Sequence, residues 1–252
     1  MLENQGHKLE GIDKKTPRMN LSNFRVINQA VEEFKPDVVI HLASCLNNNQ
    51  MDNLIDNVVS SINVFEACEK HKVPWVIFTS SAAVYGNQNR PVTESSITNP
   101  VNVYGSSKQY IENIMLTYSF RPTILRFSNV YGDRGNGVVN IFTFHSRQGN
   151  QIKINGDGTQ TRDFIHINDV LGFIEFILAK QMKGLFNVGT GIPTKIVELA
   201  KLLDKFKKGS YTFTDAPKKD IFYNCLKSNY LLYKPKITLE EGVKELMKNS
   251  KQ

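Results

Sequence analysis

No apolar run in these 252 residues approaches the roughly 20 that a membrane-crossing helix needs. The first residues, Met1-Leu2-Glu3-Asn4-Gln5, lack the apolar core of a signal peptide. Cysteines number three, Cys45, Cys68 and Cys225. They are far apart and form no CxxC pair, which argues against a disulfide framework or a zinc knuckle, and no metal is expected. The net charge is +7, but the lysines and arginines are scattered rather than blocked, so nothing marks a nucleic-acid surface. The densest basic run, Lys201 to Lys208, reads as the exposed end of a helix. An acidic small substrate carrying a diphosphate suits the sign of the charge equally well. These absences leave a soluble, cytoplasmic protein with no nucleic-acid or membrane partner.

The apolar content of 40% is ordinary for a globular chain able to bury a sizeable core. Its first half alternates strand and helix signals, which predicts a parallel sheet covered by helices. His7 to Ile12 reads as a short strand ending at Asp13. Phe24 to Phe34 is an amphipathic helix, with Ile27, Ala30, Val31 and Phe34 on one face. Val38 to Ala43 is a continuous apolar strand of the kind buried on both faces. A helix over Asn57–Lys70, a strand over Trp75–Ser80, a helix over Tyr104–Tyr118 and a strand over Pro122–Phe127 follow. Beyond Tyr131 the rhythm loosens into glycine-rich loops, with helices expected at Asn168–Ala179 and Leu239–Met247.

The densest chemistry lies in Tyr104-Gly105-Ser106-Ser107-Lys108, preceded by Thr79-Ser80-Ser81-Ala82-Ala83-Val84-Tyr85-Gly86. A tyrosine and a lysine four apart share one helix face. A nearby ammonium favours phenolate and is expected to pull the phenol below its usual value of about 10. That makes a general acid/base able to exchange a proton with a sugar hydroxyl. A serine at the end of the preceding strand can hydrogen-bond the same hydroxyl.

Around this pair stand His41-Leu42-Ala43-Ser44, Asn57-Val58-Val59-Ser60-Ser61-Ile62-Asn63 and Arg126-Phe127-Ser128-Asn129-Val130-Tyr131-Gly132. Gly156 to Phe164, Phe186 to Gly191 and Lys234 to Gly242 complete the set. Together they resemble the HLAA, NVxGTxN, RxxNVYG and GDGxQxRDF motifs of the extended short-chain dehydrogenase/reductases, nearly end to end. The resemblance is to the NAD-dependent epimerase/dehydratase branch, most of all UDP-glucose (galactose) 4-epimerases. It implies a Rossmann-like α/β fold with helices on both faces of the sheet and a small substrate-binding lobe. Residues 1–131 and 159–190 form the expected NAD-binding domain, and 132–158 and 191–252 the lobe.

By that resemblance Ser81, Tyr104 and Lys108 are the catalytic set. The cofactor NAD is expected against Asp13, Asn20, Leu21, Leu42, Ala43, Ser44, Asn57, Thr79, Phe127 and Ser128 as well as Tyr104 and Lys108. Ser81, Asn129, Gly137, Val138, Arg162 and Lys218 are expected to contact a UDP-linked sugar. The guanidinium of Arg162 suits a diphosphate by its fork of donors. His41 and Tyr131 fit packing and site roles equally, His166 reads as a strand residue and Asp169 as the start of a helix. The family's dehydratases carry Asp-Glu after the serine; Ala82-Ala83 stand there in this chain and can transfer no proton. C4 epimerisation through a 4-keto sugar is the implied reaction. A 4-keto-sugar reductase and an inactive sugar-nucleotide-binding remnant are the alternatives. The family dimerises through two helices per subunit, matching Asn57–Lys70 and Tyr104–Tyr118.

One family feature is not found. A dinucleotide fold opens with a strand and a glycine loop whose following helix receives the pyrophosphate, and nothing like it precedes Asp13. The expectation is that the coding sequence starts further upstream. Without that central strand, the Lys8–Ile12 strand should lie one empty lane from Val38–Ala43, a gap of about 4.8 Å per lane.

Overall fold

The computed structural model describes residues 2–13, 20–46, 49–88, 91–206, 211–216 and 233–248. The chain divides into two compact units. One comprises Met1–Val84, Thr98–Arg126 and Ile177–Phe186, the other Tyr85–Ile97, Phe127–Phe176 and Asn187–Gln252.

In the first unit α1 spans Phe24–Phe34 and buries Ile27 and Val31. The Asn23 side chain caps it by accepting from the Arg25 amide. Lys35 closes it in the left-handed region at φ 51°, one residue before Pro36, which cannot continue a helix. Strand β1, Val38–His41, leads into α2, Gln50–Asp52, a π-helical segment over Asn53–Val59 and α3, Ser60–Lys70. Then come β2, Trp75–Ser81, a 3-10 turn over Ala82–Tyr85, α4, Val103–Met115, and β3, Arg121–Phe127.

The main sheet runs β1-β2-β3-β7, with β7 at Gly184–Val188. Strands β1 and β2 are parallel, with His41 opposite Phe78. Ile27, Val31, Phe65, Cys68, Phe78, Ile111, Met115 and Phe120 form a continuous core. Each such fully buried side chain contributes about 1.5–3 kcal/mol. Burial pushes the Cys68 thiol up to about 12, so it packs as an apolar group.

Two expected strands change here. Residues 7–13 carry no strand; Leu9 is exposed and Ile12 alone of that segment packs against the core. A strand exists by its ladder, and among the described residues no strand pairs with the outer side of β1. For the same reason β1 stops at His41, the last residue paired with β2. Leu42 and Ala43, expected inside a buried strand, are exposed, as is Ser44.

The second unit contains β4 (Asn129–Tyr131), α5 (Val138–Gln148), β5 (Ile152–Asn155), β6 (Thr161–His166), β8 (Pro193–Lys195), α7 (Ile196–Phe206), β9 (Tyr211–Thr214) and α8 (Leu239–Lys248). The helix α6, Ile167–Lys180, passes from this unit into the first. Strand β6 pairs parallel with β4 and antiparallel with β8, while β5 pairs parallel with β9. Tyr131, Phe142, Ile154, Phe164, Leu199, Leu203, Val243 and Leu246 make the core. Buried carboxylates stitch the loops. Asp163 accepts from the amides of Thr190 and Gly191 and from the Thr190 hydroxyl. Asp169 accepts from the Lys236 and Ile237 amides at 2.8 and 3.0 Å.

Candidate active site

The site begins where β2 ends and α4 starts. Asn102 caps α4 by accepting from the Gly105 amide at 2.7 Å, which places Tyr104 in the first helical turn. A Cβ on Gly105 would stand 2.6 Å from the Ala83 carbonyl oxygen. Glycine after the tyrosine is therefore what lets α4 lie directly on the turn that follows β2. Ser81 sits at the end of β2, and its hydroxyl oxygen accepts from the Ala83 amide at 3.1 Å. The half-buried Tyr104 phenol hydrogen-bonds with the hydroxyls of Ser81 and Ser44.

One turn along α4, Lys108 is buried. Its ammonium donates to the Thr79 carbonyl at 2.8 Å, lies 4.6 Å from the centroid of the Phe78 ring and 5.8 Å from that of Tyr104. Ser81, Tyr104 and Lys108 thus come together as the spacing implied.

The charge state differs from expectation. Burial raises the Tyr104 phenol above its ordinary value, and the hydrogen bonds from Ser81 and Ser44 only partly offset it. Lys108 is pulled down to about 7, chiefly by burial, against the upward pull of Glu112. Desolvation penalises phenolate and ammonium alike, so the lysine does not by itself bring the phenol into the working range. His41 is likewise held down to about 3 by burial and by the Lys108 charge. It is neutral, stacked on Phe78 and 2.8 Å from the Ser61 hydroxyl. Because Ser61 donates to the Asn57 carbonyl, the imidazole N–H donates to Ser61. His41 is a packing residue.

Beside Tyr104 opens a cavity of about 400 Å³ lined by Ile12, Asp13, Asn20, Leu21, Leu42, Ala43, Ser44, Asp56 and Ser60. Six of the cofactor residues named from sequence, Asp13, Asn20, Leu21, Leu42, Ala43 and Ser44, line it. Ser44 belongs to both cavity and phenol. Two carboxylates, an asparagine and two serines around apolar walls suit a nucleoside with free ribose hydroxyls, so these residues fit the NAD that the motifs implied. Asp56 and Ser60 were missed, although they flank Asn57 on the same helical run.

Asn57 ties the loop beside the cavity to the helices. Its carboxamide accepts from the Cys45 amide at 2.6 Å and the Ser44 hydroxyl at 3.3 Å. It donates to the Cys45 carbonyl, to Asn53 and to Ser107 of α4. Its hydrogen-bonding capacity is used inside the protein, where it fastens the Ser44–Cys45 loop to α4. Thr79 also has both its hydroxyl and its carbonyl engaged, with His41 and Lys108.

The second unit carries the remaining candidates. Phe127 and Ser128 are half-buried, and the Ser128 hydroxyl oxygen is buried without a hydrogen-bond partner among the described residues. Asn129 donates to the Asp163 carbonyl at 3.3 Å. Gly137 precedes α5 and Val138 opens it. Arg162 is buried in β6 and donates to the Thr161 carbonyl at 2.8 Å. Lys218 lies outside the described residues. No group of three or more His, Cys, Asp or Glu able to hold a metal occurs among the described residues.

Known proteins resemble this chain in sequence and fold. A family model described as the NAD dependent epimerase/dehydratase family matches residues 1–189. A Methanocaldococcus jannaschii protein, named provisionally as a UDP-glucose 4-epimerase, is 35% identical over 240 residues, 85% of this chain and 78% of its own length. The UDP-glucose 4-epimerase of Thermotoga maritima, solved with UDP-glucose, superposes with a TM-score of 0.81 at 28% identity. That match covers 90% of this chain and 81% of the other. The Thermus thermophilus UDP-glucose 4-epimerase, solved with NAD, gives a TM-score of 0.83 at 26% identity, covering 95% of this chain and 86% of its own. The chain belongs to the NAD-dependent epimerase/dehydratase family.

Proposed function

We propose that the protein interconverts UDP-linked sugars at C4. The observation that carries this reading is the joining of Tyr104, through Ser44, to a cavity suited to a nucleoside, with Ser81 and Lys108 beside the same phenol. NAD, when bound, supplies the hydride acceptor and donor that oxidation and reduction at the sugar carbon require. Asp13, Asn20, Leu21 and the 42–44 loop hold its adenosine end in this proposal, and Phe127 and Ser128 lie toward the nicotinamide. Tyr104 takes the proton of the 4-hydroxyl and returns it, Ser81 orients that hydroxyl, and the Lys108 ammonium stabilises the phenolate. Ala82 and Ala83 offer no acid at the place where dehydration needs one. Arg162, Asn129, Gly137, Val138 and Lys218 are proposed to bind the nucleotide diphosphate.

The protein is proposed to act in the cytoplasm; among the described residues no helix is long and apolar enough to cross a membrane. A homodimer through α3, the π-helical segment before it and α4 agrees with the exposed apolar side chains of Leu54, Ile55 and Tyr110 in these elements.

The test is to incubate the purified protein with UDP-glucose or UDP-galactose, with and without added NAD, and follow interconversion by NMR. Turnover that continues without consumption of reduced cofactor supports the proposal. Turnover of a 4-keto sugar only with added NADH makes the protein a reductase instead. Binding of UDP with no binding of NAD by calorimetry makes it a sugar-nucleotide-binding protein and overturns the proposal.

A further inference from the structure

Tyr104 and Lys108 are two members of a stripe of three. Glu112 follows Lys108 at the same interval of four on α4, so all three project from one helix face. Strand β2 meets each of them in turn: the Ser81 hydroxyl at Tyr104, the Thr79 carbonyl at Lys108 and the Ser80 hydroxyl at Glu112. Glu112 and Arg126 are both buried. Ser80 donates to the Glu112 carboxylate at 2.5 Å. Arg126 of β3 donates through Nε at 3.0 Å and through a terminal nitrogen at 2.6 Å. A buried ion pair is a weak device for stability, because apolar residues of similar volume commonly serve as well. Its placement one turn from Lys108 calls for another explanation.

We propose that Glu112, anchored by Ser80 and Arg126, is a positioning residue that holds the Lys108 ammonium charged and in place beside Tyr104. The inference rests on the reading of Tyr104 and Lys108 given above. The groups facing Lys108 are His41 from β1, Phe78 and the Thr79 carbonyl from β2, and Tyr104 and Glu112 from α4. His41 is neutral, so the carboxylate of Glu112 is what opposes the burial that strips the lysine of its proton. The arginine fixes the carboxylate, and the carboxylate sets the lysine.

The experiment follows the Lys108 side-chain carbon next to the ammonium by NMR against pH, in the full chain labelled with ¹³C-lysine and free of cofactor. Glu112→Gln should lower the Lys108 midpoint by about one pH unit, a tenfold loss of charged lysine above it, while Glu112→Asp should restore most of it. Glu112→Gln leaves a buried guanidinium unpaired and can fail to fold. The double variant Glu112→Gln with Arg126→Met removes both charges and should still shift the midpoint downward, by less than the single variant, because the lost guanidinium charge offsets part of the lost carboxylate. An unchanged midpoint in the double variant, with a native circular dichroism spectrum, overturns the inference. Because this readout needs neither NAD nor sugar, a chain that fails to epimerise leaves it standing. An active epimerase with an unshifted Lys108 sinks the inference alone.

Discussion

The two units both bury ionisable residues, but they use them differently. In the first, His41 and Glu112 act on Lys108, one turn from Tyr104, Arg126 pairs with Glu112, and burial works against the charge on His41 and Lys108. In the second, Asp163 and Asp169 each face backbone amides brought in from distant segments. A carboxylate surrounded by N–H donors is at ease as an anion, and it ties loops together. A lysine stripped of water by burial is not at ease as a cation, and its proton can be put to use. Burial therefore separates a chemical cluster from a structural one by what partners it leaves.

The largest effect expected from this contrast is acid instability of the first unit. The folded value of His41 is about 3 against 6.5 ordinarily. The unfolded chain therefore binds a proton that the folded chain refuses, and stability falls as pH drops from 6.5 toward 3. The loss amounts to about 5 kcal/mol over that window. Lys108 acts in the same sense higher up: between about 7 and 10.5 stability rises with pH. Urea unfolding of the parent and of His41→Gln across pH 4 to 8 checks this, since the variant should lose the acid limb.

Next in size, Tyr104→Phe should reduce turnover about a thousandfold with little change in the urea midpoint. Near-normal turnover would remove Tyr104 from the proposed chemistry. In the second unit the balance should reverse. Asp163→Ala removes the acceptor of three hydrogen bonds and should cost about 3 kcal/mol of stability, read as a lower urea midpoint. Asp169→Asn keeps one acceptor oxygen and should cost about 1 kcal/mol. Faster amide exchange at Lys236 and Ile237 should accompany it, and unaltered exchange there would break the comparison.

Much of this was visible in the chain before any coordinates. The period of apolar residues and the Pro36 stop marked α1 at Phe24 and Phe34, the very ends it has. The four-residue interval from Tyr104 to Lys108 put both on one face of α4, and Asp13, Asn20, Leu21 and Leu42 to Ser44 were named before they met around one cavity. The reading failed where the outcome depended on partners far along the chain. Residues 7–13 have strand-like composition but no ladder neighbour among the described residues, and they carry no strand. The bonds of Asn57 to the 44–45 loop and to Ser107, 12 and 50 residues away, likewise leave no mark in local sequence.

Spacing and side-chain chemistry were enough to say which residues could share a helix face and what proton chemistry they could offer, because those follow from local geometry and bond type. The protonation each group keeps, the end of β1 at His41 and the anchoring of Glu112 by Ser80 and Arg126 came from the fold. They depend on desolvation and on contacts between segments, and neither exists until the chain has closed around them.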